Sequence, residues 1–377
     1  PGSPRTIFDL PTPALILDRV RLERNSARMN DQVGRLGVNL RPHVKTSKSI
    51  DVLRSLDRGT DVPITVSTVA EARYFFEYGI TDILYAVGIA PVKLPEVADL
   101  IRAGCRLRVI LDTLEAAEAV KAFAEAEAVS IEVLVEIDSD GHRAGVAPAD
   151  PLLVRIGERL GPLLTGVMTH AGASYDCRSR AEFEAMAEQE RARTVEAAER
   201  LRAAGLACAI VSVGSTPTLH YARNLDGVTE ARAGVYVFGD LVQAELGTCG
   251  IGDIAIGVLG SVIGHNRQHG RVLIDAGFLA LSRDRGTADL AVDWGYGAVC
   301  DPATGALIEG VKVSSTNQEH GIITANSGEI DFTRFPVGSR VKVLPNHACA
   351  TAAAYDRYHV TDGAADIIDT WERVNGW

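Results

Sequence analysis

Between Asn39 and Val235 the chain alternates short apolar runs with longer amphipathic stretches. Most of the runs Asn39–Lys45, Val62–Thr68, Asp82–Val87, Leu107–Asp112, Ile131–Asp138, Leu164–His170, Cys208–Ser215 and Val228–Val235 are near-continuous Val, Ile and Leu. Near-continuous apolar runs of this length are expected of parallel strands buried on both faces. Between them, Val69–Tyr78, Val92–Gly104, Thr113–Glu127 and Arg180–Gly205 carry helical periodicity. In the last, Phe183, Met186, Ala187, Val195, Ala198 and Leu201 fall on or near one stripe. The charge run Glu182, Glu184, Glu188 and Glu190 beside Arg191 and Arg193 is expected to form its solvated face. Gly104 and Gly205 stand where helices should stop. Eight successive strand–helix units predict a (β/α)8 TIM barrel, placed over residues 19–247. The alternative is a doubly wound sheet. The count of eight, and the lack of a G-x-G-x-x-G after the first strand, weigh against it.

Beyond about residue 250 the pattern changes. Ile254–Ile263, Arg271–Ala276, Gly310–Val313, Gly321–Ala325, Arg340–Leu344 and Tyr358–Thr361 read as strands, separated by turn signals such as Gly270, Asp301-Pro302, Gly328 and Asp362-Gly363. Residues 248–377 are therefore expected to form a β-rich C-terminal domain, joined by residues 1–18. The run Ala14–Asp18 is a strand that fits either domain.

Composition narrows the function. With 377 residues, 46% hydrophobic and 23% charged, the chain is long enough for a large core without staples. A net charge of −11 argues against binding nucleic acid through its phosphates. No apolar run approaches the ~20 residues of a membrane span, and the N-terminus lacks the regions of a signal peptide. The six cysteines are scattered without paired spacing, so they are expected to be reduced thiols of a cytoplasmic protein. Cys105, Cys208 and Cys300 border apolar runs and read as core fillers.

In such a barrel the reacting groups stand at the C-terminal ends of the strands. The first strand ends in Lys45, which can serve as a Schiff-base lysine or simply as a solvated rim residue. The seventh runs into Gly214-Ser215-Thr216-Pro217 and the eighth into Gly234-Val235-Tyr236, where barrels often hold a phosphate. An ordinary β-to-α turn has the same composition. A lysine and an anion cradle at one barrel mouth are together what pyridoxal 5'-phosphate requires. In the C-terminal domain, His347 and Cys349 are two apart. On an extended segment they would face one side and share a divalent ion such as Zn²⁺. Gln318-Glu319-His320 is a second polar cluster, or a turn before the strand Gly321–Ala325.

The segments Arg41-Pro42-His43-Val44-Lys45-Thr46, Asp140-Gly141-His142-Arg143, Val213-Gly214-Ser215-Thr216-Pro217, Asn317-Gln318-Glu319-His320-Gly321 and Pro345-Asn346-His347-Ala348-Cys349-Ala350-Thr351 occur in order along nearly the whole chain. Together they resemble the alanine-racemase-like, fold-type III pyridoxal-phosphate enzymes, and within them the metal-activated enzymes of D-3-hydroxy-amino acids. The resemblance implies that Lys45 carries the cofactor and, once displaced, takes the α-proton. It implies that His43, Arg143, His170 and Tyr175 surround the ring, and that Gly214, Ser215, Thr216, Gly234 and Tyr236 hold the phosphate. It further implies that His347 and Cys349 bind the divalent metal (Zn, Mn, Mg or Co). Cys349 and the text His43-Val44-Lys45-Thr46-Ser47-Lys48 point to dehydration, with D-threo-3-hydroxyaspartate the foremost substrate. A second carboxylate on the substrate needs a cation, for which Arg283 and Arg285 are the candidates; Gln318 and His320 are further substrate candidates. D-serine dehydration, aldol cleavage of Cα–Cβ, racemisation and non-catalytic cofactor binding stay as alternatives. The expected partners are a small-molecule substrate and a second copy in a homodimer, with no nucleic acid and no membrane.

Overall fold

The computed structural model describes residues 5–56 and 62–377; residues 1–4 of the N-terminal segment assigned above to the β-rich domain lie outside them. The chain divides into two compact units, one of residues 28–50, 57–234 and 374–377, the other of residues 1–27, 51–56 and 235–373.

Among the described residues the first unit is built on an eight-stranded parallel sheet. Its strands are Asn39–Pro42, Ile64–Val66, Asp82–Gly88, Arg106–Leu111, Glu132–Ile137, Leu164–Thr169, Ile210–Val213 and Glu230–Ala233. Each apolar run of the sequence contributes one. The last strand pairs with the first, and the bridge His43–Thr65 joins the first to the second, so the sheet closes into the expected barrel. The helices start where side chains cap them. Thr68 accepts from Glu71 N, Thr113 from Ala116 N, and Ser179 forms a capping box with Glu182. Leu84, Ile110, Leu134 and Met168 form one buried cluster. Arg41 and Arg108, both buried, meet at Asp82 (2.7 Å each) and reach out to Glu230 (2.8 Å) and Glu132 (2.6 Å). Removing one partner of such a buried network would strand the charge of another.

The second unit holds a nine-stranded sheet. Arg271–Ile274, Gly321–Ala325, Leu307–Thr316, Ala298–Cys300, Arg340–Leu344 and Ile256–Asn266 pair antiparallel in that order, and Ile256–Asn266 pairs back to Arg271–Ile274, closing a ring. Ala14–Asp18, Arg357–Thr361 and Ile367–Glu372 extend it. The N-terminal strand thus joins the β-rich sheet, antiparallel to Ile256–Asn266 and parallel to Arg357–Thr361. Two strands escape the sequence pattern. Ala298–Cys300 is three residues long, too short to show a period, and Ile367–Glu372 is a sheet edge that buries only Trp371. No helix among the described residues is long and apolar enough to cross a membrane.

Candidate active site

The first barrel strand ends at Pro42 and delivers His43 and Lys45 to the mouth. Lys45 is exposed, and no carboxylate of the described residues pairs with its ammonium. The Lys45 amide approaches His43 Nδ1 (3.4 Å), and His43 Nε2 faces Ser67 Oγ (3.5 Å). That arrangement suits a neutral ring with Nδ1 accepting and Nε2 donating. Burial, then the charges of Lys45 and Arg232, hold the His43 ring far below the usual imidazole range. His170, just past the sixth strand, is pushed down to about 3, first by burial and then by Lys45, Arg143 and Arg232. Two neutral imidazoles and three cations therefore share the mouth. Arg232 is buried, donating to Ser212 Oγ (2.6 Å) and to the Thr169 carbonyl.

The loop after the fifth strand is wound on its own aspartates. Asp138 Oδ1 accepts from Gly141 N (2.6 Å), and Asp140 Oδ2 accepts from Ala173 N (2.8 Å), tying this loop to the next. Gly145 closes it at φ +114, where an added Cβ would stand 2.4 Å from Asp138 N. Arg143, largely exposed, pairs with Glu136 at 3.4 Å. Tyr175 is half-buried on the short 3-10 segment Gly172–Asp176.

Beyond the seventh strand, Ser215 caps the helix Thr216–Tyr221 with Pro217 in its first turn. Gly214 has φ +129, and a Cβ there would come within 2.3 Å of the Arg232 carbonyl. The amides expected to face an anion are partly spent inside the turn. Gly214 N–H donates to Glu190 (3.2 Å), and Ser215 N–H donates to Thr218 Oγ1 (2.9 Å). Gly234 adds a close approach, since a Cβ there would lie 3.0 Å from the His43 carbonyl and 3.1 Å from Thr46 Oγ1. An unpaired amine, flanking cations, hydroxyls and a glycine-lined turn are a donor set that fits pyridoxal phosphate. Tyr236 is buried on the turn Val235–Val237, which belongs to the other unit.

Glu190 overturns the expectation that its charge run is solvated. It is buried, while Glu182 and Glu188 are exposed. The sequence carried the signal: Phe183, Ala187, Glu190, Thr194, Ala198 and Leu201 repeat at steps of three and four, so Glu190 lies on the inward stripe.

In the second unit, His347 and Cys349 come together by a different geometry from the extended segment expected. His347 is the N-cap of the helix Ala348–Ala352, and Cys349 lies in its first turn. The polypeptide turns helical there because the buried carboxylate of Asp240 accepts the Ala348 amide (3.0 Å) while also capping the helix Leu241–Glu245 through Gln243 N. His347 Nδ1 meets Asp284 Oδ2 at 2.9 Å, and this bond, then one with Cys349, raises the imidazole to about 11. A carboxylate on one nitrogen of a histidine beside a thiol is the arrangement of a metal-ligating histidine with its orienting partner. Among the described residues no group of three or more His, Cys, Asp or Glu is disposed to hold a metal ion, so His347 and Cys349 are at most a two-residue candidate donor set. Asp284 and Asp240 were not readable from the sequence, since 63 and 107 residues separate them from His347.

The other substrate candidates scatter. Gln318 and His320 are exposed on the turn linking Leu307–Thr316 to Gly321–Ala325. Arg285 is held by Asp293 (3.0 Å), whereas exposed Arg283 lies over the Phe278 ring at 3.9 Å. Cys105, Cys208 and Cys300 are buried, their thiols raised by burial to about 12, 11 and 11.

Comparison with known proteins places this architecture. The family model for the alanine racemase N-terminal domain matches residues 17–242, and a serine dehydratase domain model matches residues 255–361. The chain belongs to the alanine racemase N-terminal domain family. It is 51% identical to D-threo-3-hydroxyaspartate dehydratase of Delftia sp. (strain HT23) over 99% of both chains. It is 33% identical to D-serine dehydratase of Dictyostelium discoideum over 98% of both. A solved structure of a cysteine-to-alanine mutant of D-threo-3-hydroxyaspartate dehydratase, described as the metal-free form, superposes with a TM-score of 0.96 at 49% identity. It covers 99% of this chain and all of that one.

Proposed function

We propose that the protein is a pyridoxal-phosphate- and divalent-metal-dependent dehydratase of D-3-hydroxy-amino acids, acting foremost on D-threo-3-hydroxyaspartate. The observation that carries the reading is the likeness to the Delftia dehydratase over 99% of both chains, 51% identical. The mouth residues described above support it chemically.

Lys45 would hold the cofactor and, when substrate replaces it, Nζ would accept the α-proton; a positioned base of this kind contributes roughly 10²–10⁴-fold. Bound there, pyridoxal phosphate supplies an electron sink for the electrons of the broken Cα–H bond. The neutral His43 and His170 would line the ring without adding charge, and Arg143 would approach it from the fifth-strand loop. Ser215, Thr216 and Gly234, with Tyr236, would hold the phosphate. His347 and Cys349 would hold the metal, leaving positions open to substrate. A divalent ion there supplies a Lewis acid that eases departure of the 3-hydroxyl. Of the two candidate arginines, Arg283 is preferred for the second carboxylate, because Arg285 already pairs with Asp293. The net reaction removes water and, after hydrolysis of the resulting imine, yields oxaloacetate and ammonia.

Six free thiols support a cytoplasmic location, and a homodimer is the assembly expected. Product analysis with D-threo-3-hydroxyaspartate, pyridoxal phosphate and Mn²⁺ or Zn²⁺ tests the reaction. Oxaloacetate with ammonia is the expected outcome. Glycine with glyoxylate would replace dehydration by Cα–Cβ cleavage. Turnover confined to D-serine would overturn the substrate.

A further inference from the structure

One stretch of the helix Arg180–Ala203 ties together three consecutive loops of the barrel mouth. Gln189 Nε2 donates to the Ser139 carbonyl (2.7 Å) after the fifth strand. The neighbouring Glu190 Oε1 accepts Ala171 N–H (3.0 Å) after the sixth and Gly214 N–H (3.2 Å) after the seventh. The Thr218 hydroxyl and the Arg232 charge also act on this carboxylate, and burial raises it. The Glu190 side chain is buried, so its bonds to the two loops are shielded from bulk solvent. Gly214 also leaves no room for a side chain, since an added Cβ would come within 2.3 Å of the Arg232 carbonyl.

We infer that Glu190 is a positioning residue: by pinning Gly214 to Ala171 it sets the turn Gly214–Thr218 in the conformation that receives the cofactor's phosphate. This rests on the reading that the mouth binds pyridoxal phosphate. Because Glu190 takes up the Gly214 amide, it orients the turn's hydroxyls and does not touch the anion. Its loss therefore costs affinity chiefly for the phosphate, with the bond to Ala171, next to His170, carrying a smaller effect on the ring.

The test is titration of the cofactor-stripped protein with pyridoxal 5'-phosphate and, separately, with pyridoxal, followed by absorbance. In Glu190→Ala the preference for the phosphorylated form should fall by at least about tenfold, with pyridoxal affinity within about twofold of wild type. Glu190→Gln, which keeps an accepting oxygen, should recover most of that preference. If the alanine variant does not fold, Glu190→Asp decides, because the shorter side chain draws the one oxygen that accepts both amides away from them, and the preference should again drop. Equal weakening of both ligands, or an unchanged preference, overturns the role of Glu190 alone. A wild type that does not distinguish the two ligands overturns the phosphate site itself.

Discussion

At the scale of single residues, the chemistry rests on which side chains are charged. Lys45 brings an exposed amine to a mouth where both neighbouring imidazoles are held neutral. Lys45→Ala should lower kcat by roughly 10³-fold or more, and borohydride should no longer fix the cofactor to the protein, as peptide mass spectrometry would show. His170 leaves a mark on stability. Its ring titrates near 6.5 when exposed and about 3 in the fold, with burial as the main cause and the charges of Lys45, Arg143 and Arg232 next. Between those values the unfolded chain takes up a proton that the native state refuses. Stability therefore falls as pH drops from about 6.5 toward 3, and this residue adds nothing further below that. Thermal melts across that range should show a shallower acid limb in His170→Gln than in the wild type.

At the scale of elements, local periodicity carried most of the information. Eight largely apolar runs became eight barrel strands, because a strand buried on both faces is apolar at most positions, the charged exceptions being paired. Where an element lacks that property, its sequence is silent. Ile367–Glu372 shows four of its six residues as exposed and was missed. The pair His347 and Cys349 was readable as a motif, yet its geometry was not, because the helix start at Ala348 depends on Asp240 from another segment. Loop shape is similarly contextual. Gly145 holds a left-handed conformation against the Asp138 amide. Gly145→Ala should destabilise the protein by at least about 2 kcal/mol, from backbone strain and overlap together. Urea unfolding followed by circular dichroism would measure it.

At the scale of the molecule, the two proposed chemistries belong to different compact units: the proposed cofactor residues Lys45, Arg143 and Ser215 to one, the proposed metal pair His347 and Cys349 to the other. Metal and cofactor should therefore be separable. Treatment with a chelator is expected to abolish dehydration while leaving the bound cofactor's absorbance in place, and added Mn²⁺ or Zn²⁺ should restore turnover. Activity that survives complete metal removal, verified by elemental analysis, would sink the metal's role. The sequence by itself determined the barrel and the β-rich unit, because these follow from backbone repeats, and it offered Lys45 and the His-x-Cys pair as candidates. Only the tertiary structure decided that Glu190 is buried, that Asp284 orients His347 and that Arg285 is neutralised. Those facts arise from groups brought together by packing, where burial and pairing set a side chain's charge and partners, and no local pattern in the chain records them.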